Sequence, residues 1–273
     1  MNHHPHLGQV LLEREVGRKL EFLDSNLHAL LRGEVFSVPD KPGRDVQIVP
    51  LRDLPAKKGL STREGQARLL HDLASIELQA MELGLRTLVE FPEAPETFRA
   101  ELCAVTRDEG RHLGLCVQAL DELGFPWGSF PTHDGLWRAV RADDSLLDRI
   151  LIVHRYLEGS GLDASHTILR RLAGVQATEA RRAVEVIGHD EVAHVQFGSR
   201  WYHKLVRAAG LDPDEDFRER LIRLIARIPR RLEPINEELR LSSGFTPHEI
   251  EVLQVTRTQM SGAINSVCAD AAQ

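Results

Sequence analysis

The chain of 273 residues is 42% hydrophobic and 27% charged, an ordinary balance for a globular protein able to bury a sizeable core. No apolar run reaches the length of a membrane span, and Met1–Leu7 lacks the apolar stretch of a secretory signal, so a cytoplasmic protein without a membrane partner is expected. The net charge of -7 argues against broad binding to nucleic acid. Cys103, Cys116 and Cys268 suit reduced thiols better than a disulfide framework.

The predicted elements are helical from end to end. His3, His4 and His6 read as a solvated terminus, residues 7–32 as a first helix, and Pro39, Pro42, Gly43, Pro50 and Pro55 as an extended arm. Residues 1–60 are thus an N-terminal extension. A four-helix bundle is expected over 61–210. Ser61 with Glu64 reads as a capping box opening its first helix, which stops at Phe91-Pro92. Pro95 opens the second helix as its first residue, and Gly124 and Pro126 end it. A third helix starts near Ser145 and a fourth near Thr178, closed by Gly174 and Gly210. Gly159, Ser160 and Gly161 mark a bulge, a kink or a helix end directly after Glu158. Residues 211–273 add about two helices without a legible motif, and Arg227, Arg230 and Arg231 read as solvated surface.

Loop lengths constrain the topology. The first two bundle helices are joined by about four residues, a reach of ~14 Å, whereas each helix is ~43 Å long, so they are antiparallel neighbours. Helices three and four form a second hairpin by the same reasoning. Gly124 to Asp144 can span ~70 Å and serves as a long crossover between helices two and three.

The two hairpins carry matching chemistry. Asp108-Glu109-Gly110-Arg111-His112 and Asp190-Glu191-Val192-Ala193-His194 are near copies, and a lone glutamate, Glu77 or Glu158, stands about 32 residues before each central glutamate. A bare Glu-x-x-His is expected about once by chance in a chain of this length; with the preceding Asp the expectation falls to roughly 0.1, yet the longer string occurs in both hairpins. Residues three apart share a helix face, so each pair presents a carboxylate and an imidazole to one point. Glu109 and His112 fill gaps in the apolar stripe Phe98, Leu102, Val105, Cys116 and Leu120, and Glu191 and His194 lie within Val184, Ile187, Gly198, Trp201 and Leu205. Glu77 falls among Leu73, Ile76, Ala80 and Gly84, and Glu158 follows Leu147, Ile150, Leu151 and His154.

An isolated glutamate is most often solvated, and an isolated core histidine most often hydrogen-bonded. Four carboxylates and two imidazoles aimed into one apolar interior are different, because they cannot all remain ionised without adjacent positive charge. Two divalent cations supply it, making Glu77, Glu109, His112, Glu158, Glu191 and His194 the candidate ligands of a two-metal site. Oxygen and imidazole donors without thiolate favour iron, with manganese as the alternative. Asp108 and Asp190, turned about 100° from their neighbours, suit either a hydrogen bond to a ligand histidine on another helix or a salt bridge. His154, one turn before Glu158, reads as an extra ligand, an outer-shell partner or a core histidine. Cys116 reads as a packed core thiol.

From Ser61 to Leu205 the chain resembles the ferritin-like domain-of-unknown-function family 455. The resemblance rests on Ile76-Glu77-Leu78-Gln79-Ala80, Asp108-Glu109-x-x-His112, Phe130-Pro131-x-His133-Asp134-Gly135-Leu136-Trp137, Leu157-Glu158-x-x-Gly161-Leu162-Asp163 and Asp190-Glu191-Val192-x-His194. Ser75 stands where the family pattern has histidine. The resemblance implies an all-α, ferritin-like bundle in which Glu109 and Glu191 bridge or cap two ions, Glu77 and Glu158 are terminal, and His112 and His194 bind one ion each. The wider superfamily, which includes a tRNA isopentenyladenosine hydroxylase, implies dioxygen as co-substrate.

The leading expectation is a di-iron oxidoreductase that oxidises a small organic molecule with dioxygen, compatible with a separate electron donor and with self-association. Ferroxidase or iron-handling activity is the second reading. A tRNA-modifying hydroxylase is the third, disfavoured by the negative charge. Radical generation is disfavoured by the position of the two tyrosines, Tyr156 and Tyr202, off the ligand stripes.

Overall fold

The structure, a computed structural model, describes residues 9–230 and 233–270, with side chains described through residue 259. His3, His4, His6, Arg231 and the side chain of Cys268 lie outside the described residues. Among those described, regular structure is helical apart from one isolated bridge between Ile48 and Thr132. The chain divides into two compact units, Met1–Leu146 with Ile168–Ile187 and Leu147–Thr167 with Gly188–Gln273.

In the first unit, α1 spans Val16–Leu31, α2 Arg63–Glu90 and α3 Glu96–Glu122. The first helix starts later than its apolar pattern suggests. Glu13 accepts from the backbone N–H groups of Arg14 and Glu15, and the Lys19 ammonium donates to the carbonyls of Val10 and Leu11, so this segment makes its hydrogen bonds outside a helix. The arm then serves as the cap, because Asp45 accepts from Val16 N at 3.0 Å. At α2 the cap is Thr62, one residue beyond Ser61; its hydroxyl accepts from Gly65 N, while Glu64 pairs with Lys58 rather than closing a capping box. Pro95 is the residue before α3 rather than its first, as its extended ψ of 136° requires.

Helices α2 and α3 pack along their length. A Cβ at Gly84 would lie 2.2 Å from Thr106 Oγ1, so glycine permits the close approach. With Glu77 facing His112, this contact sets the antiparallel register. The opposite face of α2, carrying Arg68, His71, Ser75 and Gln79, is also buried, whereas Leu73, Ile76 and Ala80 of the expected apolar stripe are only half-buried. The cause is the crossover. Gln79 donates to His133 O at 2.9 Å and accepts from Leu136 N and Trp137 N, so one buried amide fastens the Phe130–Trp137 motif onto α2. The arm is held by Glu82, which is buried with Lys19 at 2.9 Å and also pairs with Arg44.

α4 (Leu146–Ile150) passes through a π turn at Leu151–Leu157 into α5 (Glu158–Leu172) without a break, and Leu147–Thr167 of this stretch belong to the second unit. The irregularity therefore precedes Glu158, and Gly159 to Gly161 continue the helix. Gly159 is needed for another reason: a Cβ there would lie 2.0 Å from Arg240 Nη1. Opposite runs α6, Thr178–Ala208. Cβ atoms built at Gly198 and Gly188 would lie 2.6 Å from His154 Cβ and 3.2 Å from Ser165 Cβ. These contacts fix an antiparallel register that sets Glu158 level with His194, as Glu77 is level with His112.

The C-terminal residues form α7 (Pro213–Leu224), α8 (Glu237–Ser242) and α9 (Pro247–Asp270). Two of their charged side chains, Arg240 and Glu249, are buried and bond to the helix that carries Glu158. Arg155 makes two hydrogen bonds of 2.6 Å to Glu249, with its guanidinium over the rings of Tyr202, Phe217 and Phe245. Arg240 pairs with Asp163 at 2.7 Å and donates to the Arg155 carbonyl in the π turn, and Arg257 donates to Ser160 Oγ at 2.9 Å. Burying such charges is costly, so the pairs persist because their geometry and additional hydrogen bonds offset desolvation.

Burial raises the Glu249 carboxyl, but Arg155, His203 and the Thr246 amide outweigh it and hold its pKa at about 2 against an ordinary 4.5. A carboxylate depressed in the folded state stabilises above pH 4.5, and its contribution fades as pH falls toward 2. Glu249→Gln is expected to cost on the order of 3 kcal/mol at pH 7 by stranding Arg155, and to lose less stability than the parent between pH 4.5 and 2, as read by urea unfolding.

Candidate metal centre

In the first unit, the middle of α2 supplies Glu77 and the middle of α3 supplies Glu109 and His112. A helical turn puts the latter two on one face, and the antiparallel register puts Glu77 opposite. One ligand atom from each of the three lies within 4.8 Å of the others. His112 Nδ1 is 3.6 Å from Glu77 Oε2 and 3.8 Å from Glu109 Oε2, and all three residues are at most 4% exposed.

The second unit repeats the pattern. His194 Nδ1 lies 3.5 Å from Glu191 Oε1 on α6. On the facing helix, His154 Nδ1 and Glu158 Oε1 are hydrogen-bonded at 2.7 Å. His154 is thus the partner that orients Glu158, and the other atom of each group, His154 Nε2 and Glu158 Oε2, is buried without a hydrogen-bond partner among the described residues. Its ring also meets Phe197 edge-on.

Asp108 is 44% exposed at its side chain and lies 3.4 Å from Arg111 of its own helix, and Asp190 lies 2.9 Å from the adjacent His189. Cys116 is fully buried, and burial, together with the Glu77 charge, pushes its thiol well above the ordinary value; it is a neutral core group. Tyr202 donates to Asp216 and is likewise raised by burial and by that carboxylate.

The buried carboxylate and imidazole donors could hold a metal ion. Glu77, Glu109 and His112 can hold an ion through carboxylate oxygens and an imidazole nitrogen, and the orphaned Glu158 oxygen offers the same chemistry. What escaped sequence reading is the support: Arg155, Arg240, Glu249 and Arg257 gave no motif, and Asp163 showed only as a letter of a family block, since their partners are remote in the chain. Gln79 was visible only as one letter of a family block.

Without a metal, a proton plays the cation. Burial opposes charge on His112, but Glu109 and Glu77 more than reverse this and raise its pKa to about 10 from 6.5. The charged imidazole therefore stabilises the metal-free cluster fully below pH 6.5, and that contribution disappears as pH rises through about 10. A metal must displace this proton. Titrating the metal-free protein with Fe(II) or Mn(II) at pH 7 is expected to release protons, measurable calorimetrically in buffers of different ionisation enthalpy. Affinity should rise toward pH 9, and Glu109→Gln should diminish the release.

The family model described as "Protein of unknown function (DUF455)" matches residues 12–251. A Haemophilus influenzae protein, described as uncharacterized, is 33% identical over 236 residues, covering 83% of this chain and 80% of the relative. No solved structure matches the chain. The chain, with its Glu-x-x-His pairs and the crossover motif clamped by Gln79, belongs to the DUF455 family.

Proposed function

We propose that this protein is a ferritin-like, di-iron oxidoreductase that activates dioxygen to oxidise a small organic substrate. The observation that carries the reading is the buried cluster of Glu77, Glu109 and His112, echoed in the second hairpin by Glu158 held level with His194 and Glu191. In this reading residues 61–210 form a four-helix bundle of the ferritin type, with 1–60 and 211–273 as extensions.

Glu77, Glu109, His112, Glu158, Glu191 and His194 would hold the two ions. Four carboxylates balance two divalent ions, leaving the interior near neutral. The iron pair, when bound, would supply the electrons that dioxygen needs to react. The protein's part is to orient ligands and exclude water. His154 fixes one oxygen of Glu158 and leaves the other for metal; Leu113, Cys116 and Val195 supply dry, buried surroundings on the ligand helices.

Anaerobic loading should saturate at about two Fe(II) per chain, and admitting air should consume oxygen with a transient absorption band. The double variant Glu109→Ala, Glu191→Ala should lose both responses; continued oxygen consumption by it would refute the assignment. Iron uptake far beyond that stoichiometry, in a large shell-like particle, would instead identify an iron-storing protein.

A further inference from the structure

Away from the metal cluster, the N-terminal half of α2 buries two side chains whose nitrogen donors lack hydrogen-bond acceptors among the described residues. Arg68 is 5% exposed, and its Nη1 and Nη2 groups have no hydrogen-bond partner among the described residues. Its Nε lies 3.0 Å from Asp72 Oδ1 but makes no hydrogen bond, and Asp72 is shared with Lys57 at 3.3 Å. One turn on, His71 is fully buried. Its Nε2 accepts from Gly128 N at 3.1 Å, and burial, then the Arg68 charge, hold its pKa down to about 4. The ring is therefore neutral at pH 7 with its proton on Nδ1, which is buried without an acceptor. Both groups meet one ring: the Arg68 guanidinium lies 5.5 Å from the Phe130 centroid, and His71 packs against it edge-on at 5.4 Å.

Unpaired buried donors are rare in folded proteins, and the two terminal nitrogens of a buried guanidinium are costly to leave so. A guanidinium edge matches two coplanar oxygens, and a neutral imidazole N–H adds a third donor. Lys57 and Arg68 against Asp72 leave one positive charge, which suits a monoanion. The cover is thin. Trp127, stacked on His71 at 4.6 Å, and Phe130 are half-buried, while Gly128 and Ser129 between them are exposed. We propose that Arg68 and His71 form a binding site for a carboxylate of a small molecule, closed over by the Trp127–Phe130 segment of the crossover.

Formate is the probe, titrated into the full-length protein at neutral pH with chelator present, so that binding at a metal does not contribute. Formate is expected to give a saturable rise in Tm over chloride at equal ionic strength and a matching calorimetric isotherm. Arg68→Gln should abolish both. Should that variant not fold, Arg68→Lys, which keeps the charge but loses the fork, should bind at least ~10-fold more weakly. Glu109→Gln should keep the full response, separating this site from the metal cluster. Equal effects of formate and chloride on the parent protein, or an undiminished formate response in both Arg68 variants, would overturn the proposal. So would a response lost with Glu109→Gln. Stronger saturable binding of inorganic phosphate than of formate would overturn the carboxylate assignment.

Discussion

A carboxylate taken out of water must meet positive charge, and this requirement organises the buried polar groups of the protein. Glu82 meets Lys19 and Arg44, Asp163 meets Arg240 and Arg257, and Glu249 meets Arg155 with His203 beside it. Around His112 the balance is reversed, for one imidazole faces two carboxylates. That reversal raises its proton affinity and gives the cluster its character as a cation site. A proton and a metal ion compete for the same charge deficit, which ties metal affinity to pH.

Close helix approach is the second requirement, and small residues answer it. Gly84 lets α2 meet Thr106 of α3, and Gly198 lets α6 reach the backbone at His154. Each contact lies within two turns of a ligand, so the same packing that brings the helices together also sets which ligand faces which. The π turn adds a local adjustment. It lies just before Glu158, and Arg240 reaches its Arg155 carbonyl. The C-terminal helices thus act as a brace for the helix that carries the candidate ligand Glu158.

The crossover plays a comparable part in the first unit. Gln79 uses both ends of its amide on the His133–Trp137 backbone, and Arg86 stacks on Trp137 at 4.7 Å. Two family motifs that look unrelated in the sequence are therefore one structure. The covered face of α2 explains the burial of its Gln79 and His71, which bond to a loop rather than to water.

The helices, and the proximity of Glu109 to His112 and of Glu191 to His194, were legible in the sequence, because residues three apart on a helix share a face whatever surrounds them. Helix ends were less so, as at Ser61 and Pro95, where a one-residue shift depends on which hydroxyl or carbonyl the folded backbone meets. Residues 7–15 looked helical by pattern alone, yet Glu13 and Lys19 drew their hydrogen bonds elsewhere. By itself, the sequence determined the spacing and identity of the donor groups. Only the tertiary structure decided that His154 orients Glu158, that the irregular turn precedes that glutamate, and that Arg155, Arg240 and Arg257 are buried beside acids. The partners of those arginines lie many residues away, and a long-range ion pair leaves no period in the chain to read.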